Sequence, residues 1–302
     1  MPALQRIISH LPTQAVLLMM VAIGFYALQD VCVKSLPPSI HVVEILFWRS
    51  VFAIPMVILF VKTESHPRPW HTKKPLHHLI RALFASLATL FFITSFRQMP
   101  LGDAYALTFS APLFMALLGA YFLRENPPKH RWHAVFIGFI GVWVICEPSL
   151  DQPHLYLIPL AGGLFHGLSQ LTLRSLNQED STSMIVAVLL GTSLFLCAPV
   201  MFQHSWDYTT QEMTLFVGIG VLGGIAQWLM THAFRRASLT FLAPFDYVAL
   251  LWGIGFDFAL WHHKPSSYLI GGALLILGAN FYLLWQERRQ DRKKVTPGLA
   301  SS

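Results

Sequence analysis

The sequence predicts an all-α protein that crosses a membrane with ten helices, and three observations predict this fold class. First, 54% of the 302 residues are hydrophobic and only 12% are charged, whereas soluble domains carry about 25% charged residues. Second, ten apolar runs occupy most of the chain, and a spanning helix needs about 20 such residues. Third, the basic residues between these runs fall mainly in every second connection, which sets orientation in a membrane.

The ten apolar runs are the predicted spans. Lipid cannot satisfy an open backbone, so these runs must form helices or closed barrel strands. Barrel strands alternate apolar and polar residues over about ten positions, whereas these runs are longer and uniformly apolar, which favours helices. The predicted spans are residues 15–33, 44–61, 79–96, 104–123, 132–146, 155–173, 184–202, 213–234, 238–260 and 268–285.

The distribution of Lys and Arg predicts that both termini are cytoplasmic. With the N-terminus inside, seventeen of the 21 basic residues lie on the inner side, three lie on the outer side, and Arg49 lies within a span. This asymmetry follows the positive-inside rule and requires an even number of spans. It also explains the net charge of +6 without a nucleic-acid partner. The basic residues of 287–302 are interpreted as a cytoplasmic tail.

Ten spans divide into two units of five, and an odd-numbered unit inverts its second copy, as in many secondary transporters. Residues 25–36 match residues 165–176 at an offset of 140, and residues 96–127 match residues 234–265 at an offset of 138. The sequence therefore predicts inverted five-helix repeats at residues 15–147 and 155–286.

Polar residues inside the spans are the candidate site, because a charge at the centre of a spanning helix costs about 2.5–3.5 kcal/mol. Nearer the middle are Tyr26, Gln29, His166, Gln170, Gln227, Asp246 and Tyr247, whereas Asp30, Arg49 and Tyr105 lie in the outer half or at its mouth. As a set, these ten residues are predicted to line a solute path. For each residue alone, an interhelical hydrogen bond is the competing interpretation.

Arg49 and Asp246 are the strongest members of this set. The guanidinium of Arg49 matches a carboxylate or phosphate group of a solute, or it could form an ion pair with Asp30 or extend to the outer headgroups. Asp246 follows Pro244, and a proline can interrupt the helix, as in the broken helices of transporters. Arg97 and Asp257 lie near outer helix ends, where either could be a surface charge.

Other classes of function find less support. The three cysteines lie in apolar runs without metal-ligand spacing, and no nucleotide-binding or hydrolase motif is present. We therefore predict neither a metal nor a cofactor, although the histidines of residues 63–78 could bind a metal. A membrane-embedded enzyme and a non-transporting scaffold or sensor remain alternatives. The enzyme would need acid/base or metal groups converging in one place.

Several motifs then resemble the drug/metabolite transporter superfamily, EamA type, over nearly the whole chain. They are Phe47-Trp48-Arg49, Met-Pro-Leu-Gly-Asp-Ala at 99–104, Ser-Ala-Pro-Leu at 110–113, Leu-Arg-Glu-Asn at 123–126, Gly-Phe-Ile-Gly-Val at 138–142, Ala-Phe-Arg-Arg-Ala at 233–237 and Leu-Ala-Pro-Phe-Asp-Tyr at 242–247. One departure is Trp261-His262-His263, where the family's ninth helix often ends in an acidic residue.

The resemblance implies alternating-access transport of a small organic metabolite, driven by protons or by exchange with a counter-substrate. Amino acids, S-adenosylmethionine and riboflavin are solutes of such families, and the Ala-Pro-Phe-Asp-Tyr stretch is similar to that of the S-adenosylmethionine-uptake branch. The expected location is the bacterial inner membrane. The expected partners are the lipid bilayer and a small-molecule solute that binds the ten residues named above.

Overall fold

The computed structural model describes residues 2–63, 70, 72, 74–122, 129–146, 153–175, 180–203, 206–236 and 242–295. Within these residues the chain is helical and contains no strand. The helices are α1 (Pro2–Ser35), α2 (Val42–Thr63), α3 (Pro75–Gln98), α4 (Leu101–Thr108), α5 (Ala111–Phe122), α6 (Lys129–Ile145), α7 (Pro153–Ser175), α8 (Thr182–Met201), α9 (Thr210–Arg236), α10 (Val248–Trp261) and α11 (Ser267–Val295), with a 3-10 segment at Ala243–Tyr247.

These helices correspond to the ten predicted spans. The fourth span consists of α4 and α5, and the ninth consists of the 3-10 segment and α10. Among the described residues, five helices are long and apolar enough to cross a membrane by length and composition. Large apolar side chains such as Leu17, Phe195 and Leu251 are 58%, 79% and 68% exposed, as expected of a bundle whose outer surface meets lipid. The prediction of an all-α polytopic membrane protein is confirmed.

Polar side chains fix where several helices begin. The carboxylate of Glu44 accepts a hydrogen bond from the backbone N–H of His41 at 2.8 Å, immediately before α2. Thr209 and Glu212 form a reciprocal capping box at the start of α9, with distances of 2.7 and 3.3 Å. The hydroxyl of Ser181 accepts from the N–H of Met184 at the start of α8. Each bond satisfies a backbone donor that the first helical turn leaves free.

The helices pack in pairs that have two-fold equivalence. The largest contacts join α1 to α9, α3 to α7, α6 to α11, α2 to α8 and α2 to α9, and smaller ones join α3 to α8, α5 to α7 and α4 to α10. If the first five spans are exchanged in order with the second five, the α1–α9 and α2–α9 pairs become the α7–α3 and α8–α3 pairs. The α2–α8, α6–α11 and α4–α10 pairs map onto themselves. The α1–α9 pair is antiparallel, because Tyr26 contacts Gln227 whereas Cys32 lies beside Gly218.

Glycine permits the closest of these contacts, between α6 and α11. A Cβ atom added to Gly272 would lie 2.5 Å from the backbone oxygen of Gly141, and one added to Gly141 would lie 2.7 Å from the backbone oxygen of Gly272. Neither backbone can move away without separating the two helices. Close approach through small residues is the usual way in which helices associate inside membranes.

We therefore expect Gly272→Ala to destabilise the bundle by about 1–3 kcal/mol, because the added methyl group overpacks a backbone contact. Gly278→Ala on the same helix is the matched control, since nothing lies within 4 Å of the Cβ position there. Thermal unfolding of the detergent-solubilised proteins measures both effects. Equal unfolding temperatures for the two variants would contradict the close α6–α11 contact.

Candidate functional site

The fourth and ninth spans are both interrupted, and their interruptions contact each other. Pro112 has no backbone N–H and crowds the carbonyl four residues earlier, and α4 accordingly ends at Thr108 before α5 resumes at Ala111. In the ninth span the 3-10 segment contains Pro244. The rings of Phe109 and Tyr247, one from each interruption, lie 5.1 Å apart. Paired interruptions in corresponding spans are typical of transporter binding sites.

Asn280 of α11 satisfies the backbone that the first interruption frees. Its side-chain amide donates to the carbonyl oxygen of Phe109 at 3.1 Å, and the Asn280 side chain is buried. A backbone carbonyl left without a donor inside a membrane costs several kcal/mol. Asn280 is not among the site residues predicted from the sequence. A signal for it was present, since a lone Asn in an apolar run needs a hydrogen-bond partner.

Tyr26 faces the interior of the bundle. It lies nine residues, or two and a half turns, from the lipid-exposed Leu17 on α1 and so projects from the opposite face. Its hydroxyl donates to the side-chain oxygen of Gln227 on α9 at 2.7 Å. Tyr26 is nevertheless only half-buried. This residual exposure makes Tyr26 a candidate to line a path between the helices.

Arg49, Gln29, Asp30 and Tyr105 form a connected chain across three helices. The Nε of Arg49 donates to Gln29 at 3.4 Å, the Gln29 amide donates to Asp30 at 3.0 Å, and the Tyr105 hydroxyl donates to Asp30 at 2.5 Å. The direct Asp30–Arg49 ion pair considered from the sequence is therefore not formed, because Gln29 lies between the two charges. A side chain at Gly223 would collide with Gln29, so glycine there admits this arrangement.

Arg49 lies on the inward face of α2. It lies nine residues before the lipid-exposed Ile58 and so projects from the opposite face of the helix. Within the described part of the chain, the only hydrogen bond of its guanidinium is the long one to Gln29. A guanidinium group has five N–H donors. Most of them are thus available to an anionic group that enters between the helices.

The side chain of Asp246 has no hydrogen bond or ion pair to any residue that the structure describes, although it is half-buried in the 3-10 segment. The 3-10 segment that carries Asp246 packs against α1, the helix that carries Tyr26, Gln29 and Asp30. The neighbouring Tyr247 packs against Phe109 and Phe281 and forms an aromatic wall beside Asp246.

His166 and Gln170 lie apart from this group. They are four residues apart on α7 and share one face, and His166 lies nine residues from the lipid-exposed Leu157. The His166 ring contacts Phe92 of α3 at a centroid distance of 6.2 Å. Neither side chain makes a hydrogen bond to any of the described residues. Seven of the ten predicted residues thus come together, and Tyr247 adjoins them. The seven are Tyr26, Gln29, Asp30, Arg49, Tyr105, Gln227 and Asp246. His166 and Gln170 occupy a second position.

A buried ion pair, not predicted from the sequence, closes one end of the bundle. Lys34 donates to the carboxylate of Asp257 at 2.9 Å and to the Met99 carbonyl at 3.1 Å. The second Asp257 oxygen accepts from the backbone N–H of Gly102 at 2.8 Å. Asp257 is therefore not a surface charge, since it is only 3% exposed. We call this end, formed by residues 34–44, 97–102, 206–212 and 257–266, the Lys34 end.

Further contacts hold the Lys34 end together. Arg97 donates to the backbone oxygens of Pro37 and Ile40 and is not a free surface charge. Tyr208 donates to Glu44 at 2.8 Å. The pKa of Tyr208 is raised to about 12, mainly by burial and in addition by the adjacent carboxylate of Glu44. The Tyr208 hydroxyl therefore stays protonated and donates to Glu44 at neutral pH.

No three His, Cys, Asp or Glu side chains converge to hold a metal ion within the residues that the structure describes. In the segment 63–78, whose histidines could bind a metal, His66 and His71 lie outside the described residues, whereas His77 and His78 are described.

Comparison with known protein families assigns this chain to one of them. The model of the EamA-like transporter family matches residues 13–146 and again residues 155–285. The chain belongs to the EamA-like transporter family. The resemblance seen in the sequence is thereby confirmed, and the protein is a transporter rather than an enzyme. Its family and the spanning helices make it an integral membrane protein.

Three relatives within this EamA-like group transport different solutes. A riboflavin transporter of Vibrio cholerae serotype O1 is 26% identical over 95% of this chain and 98% of its own length. An S-adenosylmethionine uptake transporter of Rickettsia bellii is 24% identical over 88% of this chain and 91% of its own. A pseudopaline exporter of Pseudomonas aeruginosa is 25% identical over 87% and 93%.

Proposed function

We propose that this EamA-like protein moves a small polar or aromatic metabolite by alternating access, through a path between α1, α2, α9 and the 3-10 segment. The observation that carries the proposal is a pair of inward-facing charged side chains whose hydrogen-bonding groups are largely unused within the described residues. The Arg49 guanidinium bonds only Gln29 there, and the Asp246 carboxylate has no partner there. Polar groups in membrane spans need a partner or a water-filled cavity, and a solute path supplies both.

The chemistry of these groups supports a solute that carries an ionic group and an unsaturated ring. Arg49 offers a carboxylate or phosphate group a bidentate contact, and Asp246 offers a cation an acceptor. The rings of Tyr26 and Tyr247 offer surfaces for stacking. Riboflavin, S-adenosylmethionine and pseudopaline, the solutes named for three relatives, define the chemical range within which we place the substrate.

The ends of the bundle supply a rationale for alternating access. The Lys34–Asp257 ion pair joins α1 to α10 and to the start of α4, and it closes the Lys34 end in this conformation. We propose that this contact opens when the other end closes, and that protons or a counter-substrate drive the cycle. The two-fold equivalence of the helix pairs supports a rocking motion between inverted repeats at 15–147 and 155–286.

The charge distribution supports an orientation in which the Lys34 end is external. Seventeen of 21 basic residues then lie on the cytoplasmic side, as the positive-inside rule requires. We propose that both termini, including the tail 287–302, are cytoplasmic, and that the protein resides in a bacterial inner membrane.

A metabolite-pool assay tests the proposed function. Reconstituted vesicles, empty or preloaded with the pool, are incubated with labelled metabolites, and their contents are identified by mass spectrometry. We expect at least one polar or aromatic metabolite to accumulate or exchange, compared with vesicles that contain the Arg49→Ala, Asp246→Asn double variant. The proposal fails if no solute enters faster than in protein-free vesicles under either loading condition.

A further inference from the structure

Arg81 is a second inward-facing arginine, and it is one of the seventeen basic residues that the sequence assigns to the inner side. It lies inside α3, six residues after the first residue of that helix, which places it about 9 Å along the helix axis. Leu79 and Leu83 are exposed on the lipid side of α3, and Arg81 projects away from both. Its backbone oxygen accepts from the Ser169 hydroxyl of α7 at 3.3 Å. Arg81 therefore lies at the α3–α7 interface.

Among the residues that the structure describes, none accepts a hydrogen bond from the guanidinium of Arg81. Its Nε is buried without a hydrogen-bond partner, and the group forms no ion pair with any described residue. Asp180, which approaches α3 near this position, accepts instead from His78 at 3.1 Å. A buried charge without a partner is among the most costly features of a membrane protein. A ligand that supplies the missing negative charge would remove that cost.

Two further side chains beside Arg81 are also without hydrogen-bond partners in the described structure. Ser169, whose hydroxyl contacts the Arg81 backbone, lies between His166 and Gln170 in sequence, and these two residues share one face of α7. Arginine, glutamine and histidine can all donate hydrogen bonds. Three donor-bearing side chains with no carboxylate among them have the chemistry of an anion site.

We propose that Arg81, His166 and Gln170 form a second anion subsite, which binds the carboxylate or phosphate group of the transported solute at the end opposite Arg49. This inference rests on the proposed function and specifies its substrate class: the solute carries an anionic group. Arg49 lies seven residues into α2 from the Lys34 end, and Arg81 lies six residues into α3 from the other end. Each guanidinium thus meets the solute at one entrance, and the anionic group passes between them during the cycle.

A binding measurement that requires no transport tests this subsite. The thermal unfolding temperature of the detergent-solubilised full chain is measured in sodium phosphate and in sodium chloride of equal ionic strength. We expect phosphate to raise that temperature by about 2–5 °C, Arg81→Gln to abolish the rise, and Arg81→Lys to retain part of it. Arg236→Gln is the matched control, because Arg236 is exposed at the end of α9 and its guanidinium donates to the His232 carbonyl of the same helix.

Each other outcome overturns the subsite. An equal rise in the parental protein and Arg81→Gln, or no rise in either, means that Arg81 does not bind the anion. A rise produced by phosphatidylglycerol but not by phosphate, and lost in Arg81→Gln, means that Arg81 binds a lipid headgroup. If Arg81→Gln does not fold, Gln170→Leu replaces it, since that change removes a donor without removing a charge.

A transport measurement separates this inference from the proposed function. The solute found in the metabolite-pool assay is compared with its esterified, uncharged analogue. We expect the parental protein to favour the anionic form at least tenfold and Arg81→Gln to lose most of that preference. The subsite is overturned, and the proposed transport function is not, if the transported solute has no anionic group. The same holds if Arg81→Gln lowers the uptake of the anionic and the esterified forms equally. A pool without any transported solute overturns the proposed function, whereas the phosphate result is decided independently.

Discussion

Replacing Arg49 by Ala should lower the initial rate of solute uptake by about 10- to 100-fold, with normal insertion into the membrane. A hydrogen bond to a charged group is worth about 1.5–3 kcal/mol, and most donors of Arg49 have no partner among the described residues. Loss of the guanidinium would therefore weaken solute binding, whereas the protein loses only the long bond to Gln29. Asp246→Asn should reduce uptake to a similar extent for a solute with a cationic group.

The measurement is uptake by vesicles that contain equal amounts of each protein, with unfolding temperatures as the test of folding. Arg236→Gln removes an exposed arginine and should transport at the parental rate. If Arg49→Ala and Asp246→Asn both insert normally and match the parental rate, the assignment of the central site is wrong.

The second large effect is expected at the Lys34 end. Asp257→Ala leaves the Lys34 ammonium buried without its carboxylate and removes the acceptor of the Gly102 backbone N–H. Breaking a buried ion pair by removing one partner typically costs about 3–5 kcal/mol. Asp257→Ala should therefore unfold at a markedly lower temperature than the parental protein.

A double substitution separates the ion pair from mere loss of packing. Lys34→Met together with Asp257→Leu removes both charges and retains apolar volume, and such exchanges are often neutral or stabilising. The double variant should thus recover most of the stability that Asp257→Ala loses. It should also transport slowly if the ion pair must form and break in each cycle. Equal destabilisation of the single and double variants would show that the pair contributes no charge-specific stability.

The fold class could be predicted from sequence because lipid imposes simple rules on long segments. Apolar run length, the demand for backbone hydrogen bonding and the charge asymmetry each act locally. The interruption at Pro244 was predicted for the same reason, since proline restricts the backbone conformation of the residues next to it. The interruption at Phe109 was missed, although Pro112 is its local signal.

The pairing of polar side chains could not be predicted, because it depends on contacts distant in sequence. Lys34 and Asp257 are separated by 223 positions, and the Asn280–Phe109 contact spans 171. No local pattern relates such residues. The insertion of Gln29 between Asp30 and Arg49 likewise depends on the space that Gly223 leaves on another helix. The roles of the ten predicted site residues stay predictions until transport is measured.

Thiol labelling from each side of the membrane tests the central path most directly. Tyr26→Cys is introduced after Cys32, Cys146 and Cys197 are replaced by Ser, and Leu17→Cys on the opposite face of α1 is the control. A membrane-impermeant maleimide is applied to right-side-out and to inside-out vesicles. Labelling of position 26 from both sides, with position 17 unlabelled, is the predicted result. A position 26 that stays unreactive from either side would contradict an interior path that opens alternately to the two faces.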